Sequence, residues 1–318
     1  MPPTPTPAPP KALVVTPRLL VITLSNIGDL VLTTPVLEAL SQAYPDQCID
    51  IVGDRRSIEL LAHAPYTGDL FPFNKRGGWR SHLAFLHRLR ERRYTAVVDL
   101  RTAYLGYLLR ADIRWRKPRR RRPDQHAVEE HFAALDALVP RRRPPPCQLH
   151  LPPAIHAHAA KLLAQLPGKR WLALAPGANW PGKKWPREHF RRLLVELAAD
   201  FDAAIILGSA DDDGDARAIA SAGLPAAVLT GQTDLCTAAA VLARADAFVG
   251  NDSGLGHIAA AMNTPTLTLF GPGDPGRYRP WGAHTRIVVA PLRDLIRLEP
   301  TTVRAALAEL RATHPRRC

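Results

Sequence analysis

Long apolar runs are missing from this chain: nowhere do about 18 consecutive apolar residues occur, so no membrane-spanning helix is expected. Cysteine is sparse. Cys48, Cys147, Cys236 and Cys318 are scattered, without the short paired spacings that metal sites or redox pairs require, and they suit a reducing cytoplasm. The opening MPPTPTPAPPKALVVTP has no charged flank before a long apolar core, so it does not read as a secretory signal, and residues 1–16 are expected to form a flexible tail. No G-x-x-x-x-G-K-[ST] loop, G-x-S-x-G elbow or H-E-x-x-H pair is present, which removes the P-loop, serine-hydrolase and zinc-protease readings. Aromatic stacking modules and DNA-binding motifs are also absent, leaving charge as the sole argument for a nucleic acid partner.

With 318 residues, 46% apolar and 22% charged, the chain can bury one large core or two ordinary ones without cross-links. RLLVITLS, CIDIVG, TGDLF and YTAVVDL read as strands, alternating with the helical segments TPVLEALSQAYP, SIELLAHA, SHLAFLHRLRERR and AVEEHFAALDALV. After the proline- and arginine-rich break PRRRPPPCQLHLPP (140–153) the alternation restarts with WLALAP, AAIILGS, AAVLT, DAFVG and TLTLF. This is an α/β pattern of two Rossmann-like halves, 17–150 and 151–318, each with a parallel sheet, facing across a cleft. Ligands in such sheets bind outside the carboxyl ends of the strands, so the loops there are where chemistry is expected.

Three of those loops carry unusual residues. SNIGDLVLTTP places Asp29 just ahead of an apolar helix, where it either caps that helix or acts as a general base at the cleft. GANWPGKKWPREHF sets Lys183 and Lys184 between a strand end and a helix start, either as solvated surface or as part of a phosphate cradle. In GNDSGLGHIAAAM, Asp252 or Ser253 can cap a helix whose positive end suits a phosphate, and glycine lets a ligand approach the backbone. His257 either anchors that loop or touches the ligand. DDD at 211–213 reads as an acidic helix start.

These loops in this order resemble glycosyltransferase family 9, the bacterial lipopolysaccharide heptosyltransferases, through IGDLVLTTPVLEALSQAYP, PGANWPGKKWPREHF and FVGNDSGLGHIAAAMNTPTLTLFGPGDP. The resemblance implies a GT-B fold, with the first half receiving the acceptor and the second holding a nucleotide sugar, typically ADP-L-glycero-D-manno-heptose. It implies an inverting reaction without metal or cofactor, the nucleotide sugar being a substrate. Asp29 then matches the catalytic base and Lys183 the group that stabilises the leaving diphosphate. Donor contacts carry over to Asn179, Lys184, Asp252, Ser253, Gly254, Leu255 and His257. The family often has an acidic ribose contact where this chain has Cys236 and Thr237, so the donor preference stays open.

The charge of +13 is concentrated in RADIRWRKPRRRR (110–122), which holds eight basic residues and one acid. Composition alone allows a solvated loop, a nucleic acid site or an anionic lipid contact. The resemblance favours the last: Arg119, Arg120, Arg121 and Arg122 as contacts to an anionic glycolipid acceptor, on an enzyme peripheral to the cytoplasmic face of the inner membrane.

Overall fold

The computed structural model describes residues 17–313 except 24, 25, 103, 118–121, 123 and 139–142. The expected tail at 1–16 and the expected acceptor contacts Arg119, Arg120 and Arg121 lie outside the described residues. Eleven strands form two sheets. β1 (Arg18–Ile22), β2 (Cys48–Asp54), β3 (Thr67–Phe73), β4 (Arg93–Asp99) and β5 (Arg110–Arg116) assemble in the order β3-β2-β1-β4-β5. β6 (Trp171–Ala175), β7 (Ala203–Ile206), β8 (Ala226–Val228), β9 (Ala247–Asn251), β10 (Thr266–Phe270) and β11 (Thr285–Val289) assemble as β11-β10-β9-β6-β7-β8. Every strand pair is parallel, with Leu20 opposite Val97 and Ala173 opposite Phe248 in the two central registers. Central strands such as RLLVI are buried on both faces, as a covered parallel sheet requires.

The helices are α1 (Ile27–Val31), α2 (Thr34–Ala43), α3 (Trp79–Arg90), α4 (Ala127–Phe132), α5 (Pro153–Leu162) and α6 (Arg187–Glu196), followed by α7 (Asp213–Ala220), α8 (Leu235–Leu242), α9 (Gly254–Ala261), α10 (Pro275–Tyr278) and α11 (Pro300–Thr313). One core unites the halves: Val21, Leu37 and Ile51 of the first pack in the same cluster as Ala173, Val241 and Ile258 of the second. Separate clusters cover the outer faces, with Leu89 and Val97 on one and Phe190 and Leu307 on the other.

Three expectations need correction. SIELLAHA forms only a 3-10 turn at Ile58–Leu61, and AVEEHFAALDALV stops being α-helical at Phe132 and passes into a 3-10 turn. RADIRWR, read as part of a charged loop, is edge strand β5: its backbone pairs with β4, while Arg114 donates to the carbonyls of Gly106 and Leu109. Charged side chains on an edge strand look like a loop because one side of the strand is solvated. Among the described residues, no helix is long and apolar enough to cross a membrane.

Candidate active site in the interdomain cleft

The loop after β9 is organised by the last residue of that strand. Asn251 is fully buried, and its side chain accepts from the Trp185 amide (3.0 Å) and donates to the Pro176 carbonyl (2.7 Å). One amide therefore ties the end of β9 to both ends of the lysine loop that follows β6. Sequence reading missed this role, because a buried asparagine at a strand end looks like any turn asparagine.

Neither candidate cap behaves as a cap. Ser253 occupies the N-cap position of α9 in extended conformation, yet its hydroxyl makes no capping bond and is buried without a partner. Asp252 instead pairs with Lys183 (2.6 Å), and Lys184 pairs with Asp212 (2.8 Å). Asp212 also accepts from the Ser209 amide (3.0 Å) and hydroxyl (2.7 Å), a capping box that fixes its carboxylate. Burial by itself raises the Asp212 carboxyl, but the hydrogen bonds from Lys184 and Ser209 outweigh it and hold the group below the usual carboxylate range. Beyond starting an acidic helix, Asp212 is thus a site residue, and S-x-x-D was the signal for it.

The same loops enclose a cavity of about 300 Å³, lined by Asn179, Asp212, Thr233, Leu235, Ser253, Gly254 and Leu255 of the second half and by Ile27 of the first, while Lys183, Lys184, Asp252 and His257 are outside its lining. The structure thus gathers Asn179, Ser253, Gly254 and Leu255 around one space, with the Lys183 and Lys184 ion pairs formed by the same loops. Cys236 does not line it. Its thiol donates to the Glu59 carbonyl (3.5 Å) from the buried side of α8, and burial pushes its pKa up to about 11.

The two halves meet where α1 packs on α9. Two glycines permit this: a Cβ on Gly28 would lie 2.7 Å from the His257 ring, and one on Gly254 would lie 2.8 Å from Ile27. Gly28, inside α1, therefore serves close approach. Asp29, on the next residue of α1, caps nothing with its side chain; it accepts from Asn26 Nδ2 (3.0 Å). Burial lifts its pKa above the ordinary value, against the lowering effects of the Asn26 bond and of Arg277, Lys117 and Lys75. Asp29 is outside the cavity lining, two residues beyond Ile27 on α1, and Arg122 is exposed and also outside it.

His257 is buried with Nδ1 unpartnered, and burial, assisted by His126 and Lys183, pushes its pKa down to about 4. His126 and His131 are likewise held to about 4, chiefly by burial. His126 accepts from the Val128 amide through Nδ1 and donates through Nε2 to the Arg279 carbonyl, a role for the neutral ring. The linkage sign follows: all three folded values lie below the unfolded value of about 6.5, so the unfolded chain takes up protons that the fold refuses. Stability is full above pH 6.5 and falls between pH 6.5 and 4. Urea midpoints are expected to drop from pH 7 to pH 5, and an unchanged midpoint would show that these rings are not buried neutral.

Residues 84–305 match the model of glycosyltransferase family 9 (heptosyltransferase). Lipopolysaccharide heptosyltransferase 1 of Pseudomonas aeruginosa is 31% identical over 295 residues, covering 81% of this chain and 80% of that protein. Lipopolysaccharide heptosyltransferase 2 of Escherichia coli K12 is 28% identical over 306 residues, covering 85% and 87%. The crystal structure of a family 9 glycosyl transferase from Veillonella parvula superposes with a TM-score of 0.83 at 21% identity, covering 93% of this chain and 97% of that one. With two parallel sheets meeting at a cleft, the fold is GT-B, as the resemblance implied.

Proposed function

Because the chain belongs to glycosyltransferase family 9, the heptosyltransferase family, we propose that it moves heptose from ADP-L-glycero-D-manno-heptose to a lipopolysaccharide inner-core acceptor. The reaction inverts the anomeric centre and uses no metal or cofactor. One observation carries this reading: Asp212, paired with Lys184, and the start of α9 line a single cavity at the carboxyl ends of β6, β7 and β9, and the neighbouring residues of the same loops form the Lys183–Asp252 pair. Such a site combines cations and a positive helix end for a diphosphate with carboxylates for sugar hydroxyls.

In this mechanism Asp29 takes the proton of an acceptor hydroxyl while that oxygen bonds to the anomeric carbon. The bond from that carbon to the diphosphate oxygen breaks on the opposite face, which is what inverts the centre. Charge develops on the departing ADP, and Lys183 meets it, with Lys184 and the backbone at Ser253 and Gly254 beside it. Asp252, released from Lys183 by the phosphate, turns to the sugar hydroxyls, and Asn179, Leu255 and His257 shape the donor pocket. His257, neutral at pH 7, adds no charge there. The raised pKa of Asp29 makes it a stronger base than an ordinary carboxylate. The acceptor is an anionic glycolipid reached from the cytoplasmic face of the inner membrane, with Arg119, Arg120, Arg121 and Arg122 contributing attraction.

Cys236 keeps a second reading alive within the same family, transfer from another nucleotide sugar, since the cavity wall near α8 is made by Leu235 and Ala238 and not by a carboxylate. Calorimetric titration of the protein with ADP-heptose, ADP-glucose, UDP-GlcNAc and GDP-mannose separates the two. ADP-heptose is expected to bind at least about tenfold tighter than the others, a difference of ~1.4 kcal/mol. Preference for another donor would overturn the substrate but keep the reaction class.

A further inference from the structure

Exposed apolar surface is unevenly distributed. Of the twelve large apolar side chains exposed among the described residues, five belong to α3 and to the 3-10 turn Leu105–Leu108 with its flanking Tyr104. They are Trp79 (68% exposed), Leu83 (55%), Tyr104 (71%), Tyr107 (60%) and Leu108 (51%). Helix α3 already has a buried face, since Phe85, Leu86 and Leu89 pack on the first sheet, so Trp79 and Leu83 are not required for its core. Leu105 and Leu109 pack in that same outer cluster, which puts α3 and the turn in one layer. The Phe73 ring joins them, stacked on His82 of α3 and covered by the Arg101 guanidinium from the β4 loop.

Basic residues surround this apolar surface. From Lys75 to Lys117 the chain has twelve lysines and arginines and three acids. Arg76, Arg80, Arg88 and Arg90 are exposed on or beside α3, and the Arg116 guanidinium lies over the Tyr107 ring. Position adds a constraint. α3 starts after the carboxyl end of β3 and the turn follows the carboxyl end of β4, while Asp29 follows the carboxyl end of β1. In a parallel sheet these ends share one edge, so the basic, aromatic surface and the proposed base open on the same side of the first half.

We infer that this surface is the site where the protein docks on an anionic lipid bilayer. Tryptophan and tyrosine settle at the headgroup level, leucines reach the acyl boundary, and arginines are drawn to anionic lipid, a combination that neither charge nor apolar area supplies alone. The footprint is separate in sequence from the arginine run 119–122 and is built on a helix and a turn held by the core. Docked this way, the first half presents its Asp29 edge to sugars rising from the membrane. The inference deepens the acceptor side of the proposed reaction and rests on that reading for the lipid anchor.

Co-sedimentation of the full chain with vesicles tests it. The wild type is expected to pellet with phosphatidylglycerol–phosphatidylcholine vesicles, to pellet weakly with phosphatidylcholine alone, and to dissociate as salt rises from about 0.1 M to about 0.5 M. Substituting Trp79→Ala, Leu83→Ser, Tyr104→Ser and Tyr107→Ser together is expected to weaken partitioning more than about tenfold, and Arg80→Glu with Arg90→Glu by a similar factor. Leu292→Ser with Ile296→Ser, equally exposed but on the second half, should bind like wild type. Should the fourfold variant fail to fold, quenching of tryptophan emission by brominated lipid, lost in Trp79→Phe, gives the same answer. Wild type that ignores anionic vesicles, equal loss in the Leu292 and Ile296 control, or a patch that joins two copies into a dimer would each overturn the inference. No nucleotide sugar is present in the assay, so its failure is distinct from failure of the proposed reaction.

Discussion

Asp29→Asn is expected to lower kcat by about 10²- to 10⁴-fold while leaving nucleotide-sugar affinity within about twofold, because the amide keeps the shape but cannot take a proton. The acid side of the wild-type pH profile gives an independent check. The base works only when ionised, so activity is full above its pKa and lost as pH falls through it. Burial raises that pKa above 3.8, so the acid limb is expected above the ordinary aspartate range and absent in the variant. An asparagine variant retaining more than a tenth of the rate, or showing the same acid limb, would remove Asp29 from the base role. Loss of donor affinity along with rate would instead assign it to binding. In the proposed reaction the contact of α1 with α9 would bring Asp29 toward a donor in the second half, and Gly28 and Gly254 are what let those helices touch.

Glu130→Ala is expected to destabilise the fold by ~3–5 kcal/mol, the usual consequence of removing one partner of a buried ion pair. Glu130 on α4 meets Arg277 on α10 at 2.6 Å, and both side chains are more than nine-tenths buried; Lys117 approaches the other carboxylate oxygen at 3.4 Å. Without Glu130 a buried guanidinium loses its counter-charge, and two of its nitrogens, Nε and Nη1, already lack hydrogen-bond partners. Burial tends to raise the Glu130 carboxyl, but Arg277 and Lys117 prevail and hold it below its ordinary value. Its stabilising effect is therefore present above the unfolded pKa, near 4.3, and fades as pH falls through the lower folded value. Chemical denaturation of Glu130→Ala beside the double variant Glu130→Leu, Arg277→Met measures this: the pair removed together should recover most of the loss. A single variant within about 0.5 kcal/mol of wild type would mean that the pair contributes nothing. Since α4 precedes the connection between the sheets and α10 follows β10, partial opening of the cleft is the expected form of the damage.

The sequence by itself determined the α/β alternation, nine of the eleven strands in outline, and the three polar loops that make up the candidate site. Those features depend on local pattern: apolar runs of strand length, glycine and proline at turns, and polar residues crowded where a strand gives way to a helix. Even there β5 was hidden, because arginines on a solvated edge imitate a loop, and β11 was not read at all. Tertiary structure decided which polar residues work together. Lys183 and Asp252 are 69 positions apart, Lys184 and Asp212 are 28 apart, and Glu130 is separated from Arg277 by the whole second sheet's central strands. No periodicity encodes such pairings; they arise because parallel strands deliver all their carboxyl ends to one edge. Whether Asp252 and Ser253 cap a helix or face a ligand was likewise undecidable locally, since a cap and a binding loop use the same residue types at the same helix end. The fold shows that neither side chain caps α9: Asp252 is paired with Lys183, and the Ser253 hydroxyl is buried without a capping bond.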